Sequence, residues 1–114
     1  MESDELLGKH LLIGITFLDD RGDVVEQFQT HGPIVLVDDT KGIVIEKADG
    51  SGTYSIPPDL RNLRPAPLGE YRLRSTGEIL RDPDFLSNWT VNKTRPERIE
   101  EYKRSGFTGF GRPH

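Results

Sequence analysis

The chain has 114 residues, 33% of them hydrophobic and 30% charged, which fits one domain with a small core. It holds no cysteine, which excludes disulfides, thiolate metal sites and thiol nucleophiles and fits a reducing, cytoplasmic setting. The net charge of −4 is uneven: residues 1–64 carry 6 Lys/Arg against 12 Asp/Glu and residues 65–114 carry 9 against 7, so the first half is a poor non-specific phosphate binder and any nucleic-acid contact is expected from the second half or a local patch.

Residues 1–8 are acidic and lack the apolar run of a signal peptide or membrane anchor, and they read as a flexible arm or one loose helical turn. Residues 9–18 alternate as a strand, with Leu11, Ile13, Ile15 and Phe17 on the core face. Asp19 to Asp23 is a turn. A long strand follows from Val24 to Val37 and bends at Gly32-Pro33. Before the bend its pattern is half-exposed, and after it Ile34, Val35, Leu36 and Val37 ask for cover on both faces. Gly32 supplies unusual backbone angles and Pro33 lacks a donor, so a coiled strand shared by two sheet layers is expected. Asp38 to Gly42 turns the chain into a strand at 43–46, Asp49-Gly50 marks a hairpin, and Thr53 to Ile56 is the next strand.

Pro57-Pro58 ends that strand, Pro58-Asp59-Leu60 suits a 3₁₀ turn, and Asn62 to Pro65 suits a short fifth strand. The stretch GTYSIPPDLRNL at 52–63, with its proline before a 3₁₀ turn, resembles the end of an SH3 domain. Together with the strand order over residues 9–65, it makes the chain similar to SH3-like and Sm-like small β-barrels. The resemblance implies a mostly β fold, a five-stranded barrel with a C-terminal hairpin and helical extension. The paired aromatics with which SH3 domains hold proline-rich peptides are missing, since Tyr54 alone lies between Phe28 and Tyr71. The chain also resembles a family of short uncharacterised bacterial proteins, which implies no activity.

The segment 66–92 reads as an extension packed on the barrel. It opens with a linker at Pro65 to Leu68 and a hairpin from Gly69 to Leu80, with Tyr71 and Leu73 on one face and Arg72 and Arg74 on the other. A cluster of Phe85, Leu86, Trp89 and Val91 is expected to cover the outer face of the barrel over Val35, Val37 or Val44. Residues 93–114 read as a short charged helix over Arg95 to Arg104 and a glycine-rich flexible tail.

Chemistry-bearing residues are few. His31 beside the bend is a candidate base or ligand, with a half-exposed strand histidine as the plainer reading. His10, His31 and His114 lack metal-ligand spacing, and Asp19, Asp20 and Asp23 lack the spacing of a calcium loop, so no metal or cofactor is expected. The stretch around Tyr71, Arg72, Arg74, Arg81, Trp89 and Arg95, with Lys93 and Arg98, mixes arginine with aromatics as protein and RNA contact surfaces do. The resulting expectation is a non-catalytic interaction or adaptor domain with a protein partner and no membrane contact. The alternatives are Sm-like RNA binding and a small enzyme using His31 with a carboxylate.

Overall fold

The alternation of β1 (His10–Leu18) decides the architecture: Leu11, Ile13, Ile15 and Phe17 are buried on one face, and Gly14, Thr16 and Leu18 are partly exposed on the other. The structure, a computed structural model, describes residues 3–73 and 76–107. β2 (Val24–Asp38) pairs antiparallel with β1, then bends and pairs through its second half with β3 (Gly42–Glu46). β4 (Thr53–Ile56) follows β3, and a 3₁₀ turn at Leu60–Asn62, capped by the Asp59 carboxylate, leads into β5 (Arg64–Pro65). β6 (Glu70–Arg72) and β7 (Ile79–Arg81) form a separate two-stranded hairpin. β8 (Phe85–Val91) lies parallel to β1 within the main sheet, whose order is β4-β3-β2-β1-β8-β5.

The mostly β expectation holds, and the five-stranded closed barrel does not: the described residues form eight strands, and the sheets are not closed. The physical reason lies at the edge of β1. A two-residue β5 containing Pro65, which has no N–H, cannot satisfy a nine-residue strand. β8 pairs with β1 over seven positions, from Leu11–Phe85 to Phe17–Val91, and pushes β5 outward. The cluster Phe85, Leu86, Trp89 and Val91 is therefore a strand inside the sheet rather than a cover over it. Phe85, Trp89 and Val91 pack on the core, Leu86 faces the other way, and Val35 stays 45% exposed.

Gly32 serves a different purpose from the one its sequence context suggests. Its φ is not positive; a Cβ there would meet the Glu46 carbonyl oxygen at 1.8 Å. The bend brings the end of β3 against the β2 backbone, and the Ala48 N–H donates to the His31 carbonyl at 2.9 Å. The absence of a side chain at Gly32 is what permits that approach.

Helix α2 (Pro96–Ser105) covers the open side of the core, burying Ile99 and setting Tyr102 5.7 Å from Phe17, ring centre to ring centre. Its last carbonyls are met by a cation, as the helix dipole favours: buried Lys47 donates to the Arg104 carbonyl at 2.7 Å. Gly106, at φ 89°, lies so close to Ser55 that a Cβ would meet that residue's carbonyl oxygen at 2.1 Å. Phe107 then donates its N–H to the Ser55 carbonyl and packs between Trp89 and Tyr102, tilted to the first ring and edge-on to the second. The expected tail thus begins docked, at Gly106 and Phe107, and its remainder lies outside the described residues. The N-terminal arm is also anchored: α1 (Ser3–Leu6) buries Leu6 in the core, and Gly8 donates to the Ile34 carbonyl at 2.8 Å. Among the described residues no helix is long and apolar enough to cross a membrane.

Two substitutions test this packing. Gly32→Ala is expected to cost about 3 kcal/mol in urea unfolding, because backbone must move to admit the methyl group. Tyr54 is fully buried, and its hydroxyl has no hydrogen-bond partner among the described residues, so Tyr54→Phe is expected to stabilise by about 1 kcal/mol, read as a higher Tm.

Candidate functional site

The register of β1 with β2 sets His10 opposite Pro33 and Leu12 opposite His31, which makes the two histidines diagonal neighbours on the face away from the core. Their rings are 5.0 Å apart, and His10 Nε2 lies 2.7 Å from His31 Nδ1. The β6–β7 hairpin supplies the third member. Tyr71 pairs with Leu80, and the Leu73 N–H donates to the Glu78 carbonyl at 2.8 Å, so these four residues share a face. Leu73 is buried on that face, and Glu78 Oε1 reaches 3.0 Å from His31 Nε2. Asp84 completes the group through the main chain. Its carboxylate accepts from the His10 N–H at 2.8 Å, and its own N–H donates to the His10 carbonyl at 2.9 Å.

The proton positions follow from the partners. An ionised Glu78 only accepts, so His31 donates from Nε2. In neutral His31 the Nδ1 atom then carries the lone pair, and His10 donates to it from Nε2. The chain runs His10 to His31 to Glu78, and its unspent lone pair sits on His10 Nδ1. His31 is 7% exposed, not the half-exposed residue its strand pattern suggests. Both of its nitrogens are engaged, so the group able to meet a ligand is His10. Burial lowers the His10 pKa from its ordinary value, and the like charge of His31 adds to this, against the smaller opposing effects of Asp84 and Glu78. Glu78 is half exposed, so its ion pair with a charged His31 contributes about 1 kcal/mol at most.

Other expected site residues fall on separate elements. Tyr71 and Arg72 lie on β6, and Arg81 on β7, where it pairs with Glu70 at 2.8 Å. The Tyr71 hydroxyl donates to the Pro67 carbonyl at 2.5 Å. Arg74 lies outside the described residues, as does His114. Trp89, on β8, packs on Phe107 and donates from Nε1 to the Ser87 hydroxyl at 2.8 Å. Arg95 precedes α2 and, with Lys93, Arg98 and Tyr102, lines a cleft of about 390 Å³. Asp19 folds back on its own turn, accepting from the N–H groups of Arg21 and Asp23. Among the described residues no three His, Asp or Glu side chains are grouped to hold a metal ion.

Glu78 and Asp84 had no local signal that could mark them, because the hairpin fold and the β8 connection bring them to the histidines across 47 and 74 positions of sequence. Comparison of the chain with protein-family models, curated proteins and solved structures found no match.

Because folding lowers the His10 pKa, the unfolded chain binds more protons between the folded value and the ordinary 6.5. The stability this group contributes is complete above that interval and is lost as the pH falls through it. His31→Phe removes the like charge and keeps the bulk, so the His10 ring is expected to titrate at higher pH than in the parent protein, as read from its Hε1 resonance by NMR.

Proposed function

We propose that the protein is a non-catalytic interaction domain that meets a protein partner through the outward face of the β6–β7 hairpin. One observation carries this reading: the hairpin is anchored by one face and free on the other. Leu73 and Glu78 hold the inward face to the main sheet, while the paired residues Arg72 and Ile79 are both exposed on the outward face. Leu68, just before β6, is 88% exposed. Arginine beside isolated apolar side chains on a short, fixed hairpin is the composition of a binding hot spot. Arg81 is tied to Glu70, whereas Arg72 makes no ion pair among the described residues. An enzyme with His31 as its base is not the reading we adopt, because both nitrogens of that ring are engaged.

RNA binding is the second reading, favoured by the gathering of Lys93, Arg95 and Arg98 beside Tyr102. Against it, Asp19 and Asp20 line the adjoining cleft. Pull-down from the native lysate, with and without RNase, separates the two. Under the first reading a protein survives RNase, and its capture falls at least about tenfold with the exposed double variant Arg72→Ala, Ile79→Ala. Capture that is lost with RNase, or that is indifferent to the double variant, overturns it.

A further inference from the structure

The histidine pair has a property that the interaction reading does not use. Two imidazoles joined nitrogen to nitrogen share one proton in the bridge, so the joined pair can take up one proton beyond its neutral complement but not two. One added proton is taken up at the unspent His10 Nδ1, and whether the bridging proton then stays on His10 Nε2 or passes to His31 Nδ1, the hydrogen bond between the rings and the one to Glu78 both remain. With two, both rings present N–H groups to each other across 2.7 Å, and both are cationic. That arrangement has neither a hydrogen bond nor charge balance, so the contact has to separate.

The surroundings decide which ring moves. His31 is buried and held at both nitrogens, by His10 and Glu78, with the Asp49 carboxylate near it from the β3–β4 turn and Lys47 near Asp49. His10 stands at the first position of β1, is only partly buried and has one ring nitrogen without a hydrogen-bond partner among the described residues. The charges it faces are His31, Asp84 and Glu78. Its main chain is tied to Asp84 on both sides, so its backbone stays while its side chain can rotate.

We propose that His10 and His31 form a proton-operated switch: with one added proton or none the rings stay hydrogen-bonded, and a second proton expels the His10 ring into solvent. His31 is the fixed part and remains on Glu78. Acidification thereby converts a ring hydrogen-bonded to His31 into an exposed cation between Asp84 and the β6–β7 hairpin. The direction follows from counting protons. The separated rings bind two, the joined pair binds one comfortably, so acid favours separation by about tenfold per pH unit below the point where both rings would be charged if apart. This inference stands independently of the hairpin's partner.

The test uses the full-length, uniformly 15N-labelled protein. A through-hydrogen-bond N–N coupling between His10 Nε2 and His31 Nδ1 is expected at pH 7.5. It should survive the first protonation of the pair and disappear in the acidic step in which the second ring charges, while the amides of Leu73 and Gly77 keep their shifts because the hairpin stays docked. A coupling absent at pH 7.5, or one that survives charging of both rings, overturns the proposal. Hairpin amides that move together with the coupling overturn the assignment of His10 as the moving part. His10→Gln retains a donor to His31 and removes one charge. In that variant the His31 Hε1 resonance is expected to change in one step on acidification, without the second transition of the separating pair; a second transition at the same pH counts against the switch.

Discussion

The close approach of two backbones at Gly32 is the constraint on which the molecule depends. Nothing larger than hydrogen fits between β2 and the Glu46 carbonyl at that point. The approach lets one 15-residue strand serve β1 with its first half and β3 with its second. Ile34, Ile43 and Ile45 then close over the same core as Leu11, Ile13 and Ile15. The same bend holds His31 just before Pro33, where its ring meets His10 across the ladder. Core and candidate site are therefore consequences of a single local geometry.

A curled sheet with two ends has to protect both. At one end β5 is a two-residue stub with a proline, which offers little to a foreign strand. At the other, Gly106 and Phe107 lie against β4, held by the hydrogen bond to Ser55 and by Lys47 at the end of α2. The aromatic series Trp89, Phe107, Tyr102 and Phe17 joins β8, the segment after α2 and β1 through ring contacts of 5.3 to 5.7 Å. Chain closure comes from side chains and a helix, where a barrel would use a ladder of backbone hydrogen bonds. The structure thus keeps the economy of a small β-fold without a closed ring of strands.

The histidine pair sits where two covering segments meet the sheet: the hairpin through Glu78, and the turn before β8 through Asp84. Placing titratable groups at such a junction links protonation to surface shape without a ligand or a metal. The cost is small because Glu78 is half exposed and His10 only partly buried, so neither carries the desolvation penalty of a fully interior charge.

Sequence alone determined the local faces. The alternation of residues 11–17, the turns at Asp19–Asp23 and Asp38–Gly42, the hairpin of Tyr71 and Leu73 and the amphipathic stretch around Ile99 and Tyr102 are all properties of residues near one another in the chain. The strand at 85–91 was legible in principle, because Phe85, Ser87, Trp89 and Val91 alternate with Leu86, Asn88 and Thr90, but a serine on the inward face and a tryptophan hid the period. Its partner was not legible, since no local feature tells β8 to take the edge of β1 in place of β5. Tertiary structure decided that, and with it the loss of the barrel. The site turned on a smaller matter. A register shift between Phe17 and Leu18 sets His31 opposite Leu12. Continued from the pairing of Leu18 with Val24, the register would set His31 opposite Leu11, on the core face. A one-residue irregularity, fixed by packing along the whole strand pair, put both histidines on the same side; the fold then brought Glu78 to them from 47 positions away.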